Sequence, residues 1–165
     1  MADATWLLDL PLADAAWLGR APAALSCWRA QDAGFLRAYL QAAVAPSAAW
    51  QRLLPLQALD GASAGAVPAF HYVVETDVLP EHEADLKAWY EEEHLPGLAA
   101  VPGTVRATRF RRETGSPAYL ACYDLLTPDT LKHPAWLAVR HTAWSSRVRP
   151  LFVNPRRTMF VRPSR

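Results

Sequence analysis

The chain contains no unbroken apolar run approaching the roughly 18 residues that a membrane-spanning helix needs, so no membrane partner is expected. Its N-terminus lacks the basic start of a signal peptide and carries Asp3 and Asp9 instead. Only 2 cysteines are present, without a C-x-x-C or histidine-rich spacing. That argues against a zinc site and for a reducing compartment, and the expected location is cytoplasmic. Excess charge of either sign is missing too: 17 basic against 16 acidic side chains leave a net charge of +1. No global field therefore draws the protein to nucleic acid or anionic lipid. No G-x-G-x-x-G or P-loop occurs, so nucleotide cofactors have no support, and serine-hydrolase chemistry is not expected. The 5 histidines have no H-x-x-x-H, H-x-H or two-His-one-carboxylate spacing. No metal and no other cofactor is expected.

What is abundant is proline, 14 residues, and tryptophan, 7. The prolines imply short, sharply ended elements, and the tryptophans imply large apolar surfaces that must be buried. With 52% hydrophobic and 20% charged residues the composition is that of a globular protein. Charge is unevenly placed. Glu91 to Glu93 is an acidic run, while His141 to Arg165 holds six Arg and no acid. Basic residues beside Trp144, Phe152 and Phe160 could suit single-stranded nucleic acid. They equally suit protection of a strand edge. The near-zero net charge favours the second reading, and no nucleic-acid partner is expected.

Patterning divides the chain in two. Trp6–Leu10 and Ala24–Trp28 read as strands around a loop over Asp14–Pro22. Asp32 is placed to cap a helix through Phe35, Leu36, Tyr39, Leu40 and Ala43, and Ser47 to cap a turn-rich segment through Trp50, Leu53 and Leu54. Gly61–Pro68 (GASAGAVP) has the composition of a flexible linker. Beyond it, Phe70–Thr76 reads as a strand. A helix from about Pro80 to His94 is stopped by Pro96 and Gly97. Val105–Arg112 and Ala118–Leu125 form a hairpin about Thr114–Pro117. Helical turns follow through Leu131–Arg140 and, capped by Thr142, through Trp144–Val148; Arg157–Arg162 is a last strand. The order from Phe70 is β-α-β-β-α-β, the split βαβ or ferredoxin-like arrangement. A weak internal repeat relates Leu25–Trp28 to Leu120–Tyr123 and the stretch from Ala49 to Leu56 to that from Ala143 to Leu151. It makes residues 1–65 a degenerate copy, short of a helix and a strand, of a unit over 66–165.

The stretches W-Y-E-E-E-H-L-P (Trp89–Pro96) and V-P-G-T-V-R-A-T-R-F (Val101–Phe110) resemble the EthD-like branch of the dimeric α+β barrel superfamily. Y-L-A-C-Y-D (Tyr119–Asp124), P-A-W (Pro134–Trp136) and H-T-A-W (His141–Trp144) fit as well. The resemblance covers about Phe70 to Arg162. It implies an α+β fold in which two ferredoxin-like sheets close a barrel around a small apolar pocket. The partners it implies are a small apolar or aromatic ligand and, unless one chain closes its own barrel as a two-repeat pseudo-dimer, a second copy in a homodimer. Members include polyketide cyclases, lactone isomerases and cofactor-free monooxygenases, so fold is implied more strongly than chemistry.

On a 3.6-residue period Leu86, Trp89, Tyr90 and Glu93 share one face, with His94 at its edge, while Lys87, Glu91 and Glu92 point away. Glu93 or His94 is a candidate general base. Each has a plainer role open to it, Glu93 as a buried ion-pair partner of Arg109 or Arg147 and His94 as a helix C-terminal cap. His71, in a strand with Val73 and Glu75 on its face, is a third candidate base or a core histidine satisfied by a neighbour. Arg109 enters the cavity or faces solvent; turned inward it suits an anionic or carbonyl-bearing ligand, with Tyr90 and Trp89 alongside. His141, Trp144 and Arg147 share a helical face, as a pocket wall or as a core anchor with a polar fringe. Two functional classes stay open. One is a cofactor-free cyclase or isomerase of an aromatic or polyketide-like metabolite, in which His94 or His71 takes a proton and Tyr90 and Arg109 stabilise an enolate oxygen. The other is a non-catalytic ligand-binding or assembly module.

Overall fold

The computed structural model describes residues 4–14 and 25–163. Eight strands form a barrel: β1 (Ala4–Pro11), β2 (Leu25–Ala30), β3 (Phe35–Ala42), β4 (Gln51–Asp60), β5 (Phe70–Asp77), β6 (Thr104–Arg112), β7 (Tyr119–Leu125) and β8 (Val153–Val161). Their order is β1-β3-β2-β8-β5-β7-β6-β4, and the ring is closed. Cut between the halves, it reads β4-β1-β3-β2 and β8-β5-β7-β6, each the 4-1-3-2 order of a ferredoxin-like sheet. Every pairing is antiparallel. One seam is long, β4 on β6 from Leu53–Arg112 to Asp60–Arg106. The other, β2 on β8, is short: Arg29–Val161 and Ala30–Phe160. The expected α+β barrel is therefore present and closes within a single chain.

The helices α1 (Glu83–Trp89), α2 (Leu95–Ala99), α3 (Pro134–Arg140) and α4 (Ala143–Val148) all belong to the second half. None is long and apolar enough to cross a membrane. The helix expected from Asp32 is instead strand β3. Phe35 and Tyr39 pack into the barrel and Arg37 joins its ion network, while Leu36, Ala38 and Leu40 are buried on the other face. A strand apolar on both faces shows no alternation, so its residues also fit a helical spacing. Trp50–Leu54 likewise leads into strand β4 rather than a helical turn. The first half thus lacks no strand. The weak repeat was aligned out of register: the order pairs β2 with β6 and β3 with β7, not β2 with β7, and β4 with β8, not α4. The loop expected over 14–22 lies, from residue 15 on, outside the described residues.

Gly61–Pro68 is no free linker. Gly61, Ala62 and Ser63 donate backbone hydrogen bonds of 2.8–2.9 Å to Val105, Ala99 and Thr104. A Cβ on Gly61 would stand 2.1 Å from the Thr104 carbonyl oxygen, so only glycine permits this approach.

Two apolar layers result. Inside the barrel Leu7, Trp28, Leu53, Val73, Leu120 and Phe160 interdigitate, as eight strands leave room for little else. Outside it, Trp89, Tyr90, Leu98, Tyr123, Trp136 and Val148 fill the space between the β5–β8 sheet and the helices. Period-two alternation sends His71, Val73 and Glu75 inward and Phe70 and Tyr72 toward the helices.

Candidate functional site

The helix expected to end at Pro96 continues to Ala99, through a π turn over Tyr90–His94 in which the Leu95 N–H bonds the Tyr90 carbonyl. The extra residue shifts the helical phase. Leu86, Trp89, Tyr90 and His94 are buried, whereas Glu93 is only half-buried. The turn frees the Glu91 carbonyl, and the Gln57 side chain donates to it at 3.3 Å. Pro96 falls in the first turn of α2, where a missing N–H costs little. Gly97 lets α3 approach, since a Cβ there would lie 2.8 Å from Val139.

This turn is the wall of a crevice between sheet and helices. Tyr72, Val74, Tyr123 and Arg157 supply its floor from β5, β7 and β8. Trp89, Tyr90 and His94 supply one wall, and Trp136, Arg140, Arg149 and Phe152 the other. The enclosed space is about 30 Å³, room for only a water or two, so a larger ligand must open it. His94 stacks on Trp89 with ring centroids 4.0 Å apart and meets Tyr90 edge-on at 5.4 Å. Its Nδ1 is buried with no hydrogen-bond partner among the described residues. Burial, and then Arg149, Arg140 and Arg109, push its pKa down to about 3. The imidazole is neutral at pH 7. Burial likewise lifts the Tyr90 phenol to about 12. It lifts Tyr72 as well, against the opposing pull of Arg157, Arg140 and Arg149. None of these three arginines has a carboxylate partner among the described residues. Arg149 donates only to the Arg140 carbonyl, at 3.4 Å. The slot is thus aromatic and rimmed by three cations that have no carboxylate partner among the described residues.

The other candidates from the sequence go elsewhere. Glu93 accepts from Thr142 Oγ1 at 2.5 Å, and Thr142 also caps α4 through the Ser145 N–H. Arg109 is buried between sheet and helices, with its guanidinium 4.1 Å from the Tyr90 ring centroid. His71 sits in the barrel interior, some way from His94 by topology: its Nδ1 is 2.7 Å from Asp124 Oδ1, and its Nε2 is 3.0 Å from the Tyr39 hydroxyl. His141 ends α3 and is exposed. Trp144 donates to Asp85 at 3.0 Å, with Arg147 over its ring, tying α4 to α1 on the outer surface. The structure therefore brings together Trp89, Tyr90 and His94, and adds Tyr72, Arg140, Arg149 and Arg157. The arginine-rich tail was the available signal for Arg149 and Arg157, but only the strand and helix ends decide that they converge.

Gly61–Gly65 carries the letters G-x-S-x-G. Ser63 Oγ, however, accepts from the Gly103 N–H, and the segment links two strands rather than a strand and a helix. Among the described residues no three His, Cys, Asp or Glu side chains gather as a metal site would require.

No protein-family model matches the sequence, and a comparison with curated proteins finds no match. Solved structures do match. A heme-degrading enzyme from Listeria monocytogenes has a TM-score of 0.63 at 8% identity, over 96% of this chain and 99% of that one. A monooxygenase-like protein from Listeria innocua has a TM-score of 0.65 at 8% identity, over 99% and 96%. An anthrone oxidase-like protein has a TM-score of 0.63 at 13% identity, over 99% and 92%. At these identities the likeness is one of fold: the ferredoxin-like α+β barrel, matched along nearly its whole length.

Proposed function

We propose that the crevice between the β5–β8 sheet and the helices binds a planar aromatic metabolite carrying an acidic hydroxyl or carboxylate, and that His94 moves a proton on it without a cofactor. The observation that carries this reading is the convergence of Arg140, Arg149 and Arg157, unpaired, on an aromatic slot beside the unpartnered His94 Nδ1. One structural neighbour is an anthrone oxidase-like protein, and an anthrone is an oxygenated aromatic, which supports this reading. The resemblance of W-Y-E-E-E-H-L-P (Trp89–Pro96) to the EthD-like branch supports the same reading.

In this mechanism the bound anion comes first. Its charge offsets the arginines that depress His94 and raises the imidazole toward useful basicity. His94 then takes a proton from an acidic carbon of the ligand, and the electron pair of that C–H bond moves to the adjacent carbonyl oxygen. The arginines hold the resulting enolate. The imidazolium returns its proton to a different carbon or to an oxygen, which completes an isomerisation or lets a cyclisation follow. His71, enclosed by barrel side chains, takes no part. The two barrel halves are, in the same proposal, copies of one ferredoxin-like unit over 1–65 and 66–165. A reducing, cytoplasmic setting fits the free thiols of Cys27 and Cys122.

The test is ligand binding and deuterium exchange with hydroxylated anthrones and naphthoic acids. The wild type should bind and accelerate C–H exchange. Arg149→Gln combined with Arg157→Gln should weaken binding at least about tenfold, as charge-assisted contacts do. His94→Ala should bind and not accelerate exchange. Binding that is indifferent to the arginines would refute the site. Exchange unchanged in His94→Ala would leave a ligand-binding module without catalysis.

A second reading has one specific observation behind it. A neutral imidazole with a free nitrogen, aromatic walls and cationic rim also suit a porphyrin dianion as substrate, and one structural neighbour is a heme-degrading enzyme. A porphyrin is larger than an anthrone or a naphthoic acid and would have to open the crevice of about 30 Å³ further, which counts against it. A haem titration followed at the Soret band, with His94→Ala as control, separates the two.

A further inference from the structure

A second and larger cavity, of about 460 Å³, opens between α1 and the β4–β6 seam. Its apolar surface is Leu56, Pro80 and Ala84, and Tyr119 closes one end. Leu56 is left out of the β4–β6 ladder by a bulge between Pro55 and Gln57, and it stands exposed in the groove. The charged residues of the groove are not equivalent. Glu91 is held by Lys87 at 2.8 Å, and Glu83 accepts from the Tyr119 hydroxyl at 3.1 Å. Arg111 lies over the Tyr119 ring and has no acidic partner among the described residues. Arg109, only 2% exposed, makes no ion pair or hydrogen bond among the described residues, and its Nη1 is an orphaned buried donor. Burial pulls its basicity below the ordinary arginine value, against the raising influence of Tyr90 and Tyr123. A buried guanidinium stacked on a ring but lacking any acceptor is costly to keep.

We propose that this groove is a binding site for a small carboxylate with an apolar body. The carboxylate accepts N–H bonds from the Arg109 guanidinium, with Arg111 as the outer cation, and the body lies on Leu56, Pro80 and Ala84. The volume suits a ligand of benzoate size or somewhat larger. The planar fork of arginine matches a carboxylate in two parallel bonds, and a bound acid supplies the acceptor that the fold withholds. The site is independent of the crevice reading. The two linings share no residue, but the Arg109 guanidinium lies 4.1 Å from the ring centroid of Tyr90, a crevice residue, and its charge is one of those that lower the His94 pKa. A carboxylate on Arg109 would therefore cancel one of the charges acting on His94.

The probe is benzoate, titrated into ¹⁵N-labelled protein and followed by NMR, with inorganic phosphate as the anion lacking an apolar body. The wild type should bind benzoate saturably, with shifts at Ala84, Arg109 and Tyr119, and phosphate should bind at least about tenfold more weakly. Arg109→Gln removes the fork, and Ala84→Trp fills the groove from an exposed helix position without touching Arg109. Both should weaken benzoate binding at least about tenfold, a loss of roughly 1.4 kcal/mol. Arg149→Gln and His94→Ala should leave the affinity read from the Ala84 and Tyr119 shifts unchanged, while shifts at Trp89 and Trp136 report separately on any benzoate in the crevice. If Arg109→Gln does not fold, Ala84→Trp alone decides. Absence of saturable benzoate shifts at Ala84 and Tyr119 overturns the proposal, as does retained affinity at those residues in Ala84→Trp, phosphate binding there as tightly as benzoate, or loss of the affinity read at those residues in Arg149→Gln.

Discussion

His94 lies nearly flat on Trp89, with ring centroids 4.0 Å apart and planes 23° from parallel. The π turn creates this pair. In an unbroken α-helix Glu93 would take the inward position, and the stack would not form. Trp89 is itself fixed, since its indole N–H donates to Ser145 Oγ at 3.2 Å and Ser145 Oγ donates to the Val139 carbonyl at 2.8 Å. The imidazole is thus held by two helices in a setting that favours its neutral form.

That setting predicts an acid sensitivity. The folded pKa of His94 is about 3 against 6.5 for a free imidazole. Below pH 6.5 the unfolded chain binds a proton that the native state does not. Stability is therefore lost as pH falls from 6.5 toward 3, at roughly 1.4 kcal/mol per pH unit from this group. Urea unfolding of wild type and His94→Phe at several pH values reads the difference. The wild type should lose its advantage between pH 6.5 and 4.5. Parallel curves would show that His94 is not buried as a neutral group.

The crevice arginines predict opposite effects on stability and on binding. Arg149 is partly buried beside Arg140 and Arg157, and its basicity is lowered first by burial and then by those two charges. Arg149→Gln should raise the thermal midpoint slightly at low salt, and the gain should shrink as salt screens the repulsion. The same variant should weaken binding of an aromatic acid in the crevice. A lowered midpoint would mean that the cluster holds the fold together.

Gly61→Ala should destabilise by at least about 2 kcal/mol, because the added Cβ meets backbone, the Thr104 carbonyl and its neighbours, and backbone cannot step aside cheaply. Gly65→Ala is the contrast. No atom lies within 4 Å there, but φ is +89°, so the cost is conformational and about 1 kcal/mol. Chemical denaturation of the two variants checks the order. Equal small losses would restore the view of this segment as a loose linker.

The second half was legible because its signals are local. Aromatic alternation marked β5, Thr142 was recognisable as the cap of α4, and the turn at Thr114–Pro117 separated β6 from β7. The first half was not, because β3 is apolar on both faces and so has no period to read. Phasing found Trp89 and Tyr90 but put Glu93 where His94 stands, since one inserted residue rotates everything after it by about 100°. Arg140, at the end of α3, and Arg157, midway along β8, meet at the crevice only through the fold, a relation that no spacing within one element encodes.

Glu75 joins the halves of the barrel and gives the sharpest stability test. It is 2% exposed inside the barrel, 2.6 Å from Arg112 and 3.3 Å from Arg37. Arg37 reaches on to Asp9 at 2.7 Å, and Arg112 to Gln51 at 2.9 Å, so the network ties β1, β3 and β4 to β5 and β6. Burial alone would raise the Glu75 pKa, but Arg37 and Arg112 outweigh it and hold the carboxyl below its ordinary range. Replacement by Gln keeps the shape and removes the charge, which leaves the buried Arg112 guanidinium with no anion among the described residues and Arg37 with Asp9 alone. The expected loss is about 3–5 kcal/mol. Because the network spans both halves, the urea transition should move to lower concentration as a single step. Lys132→Ala, which breaks the exposed pair with Asp129, should change nothing measurable. A biphasic transition in Glu75→Gln would show that the halves unfold separately. An unchanged midpoint would mean that water, rather than Glu75, compensates the barrel arginines.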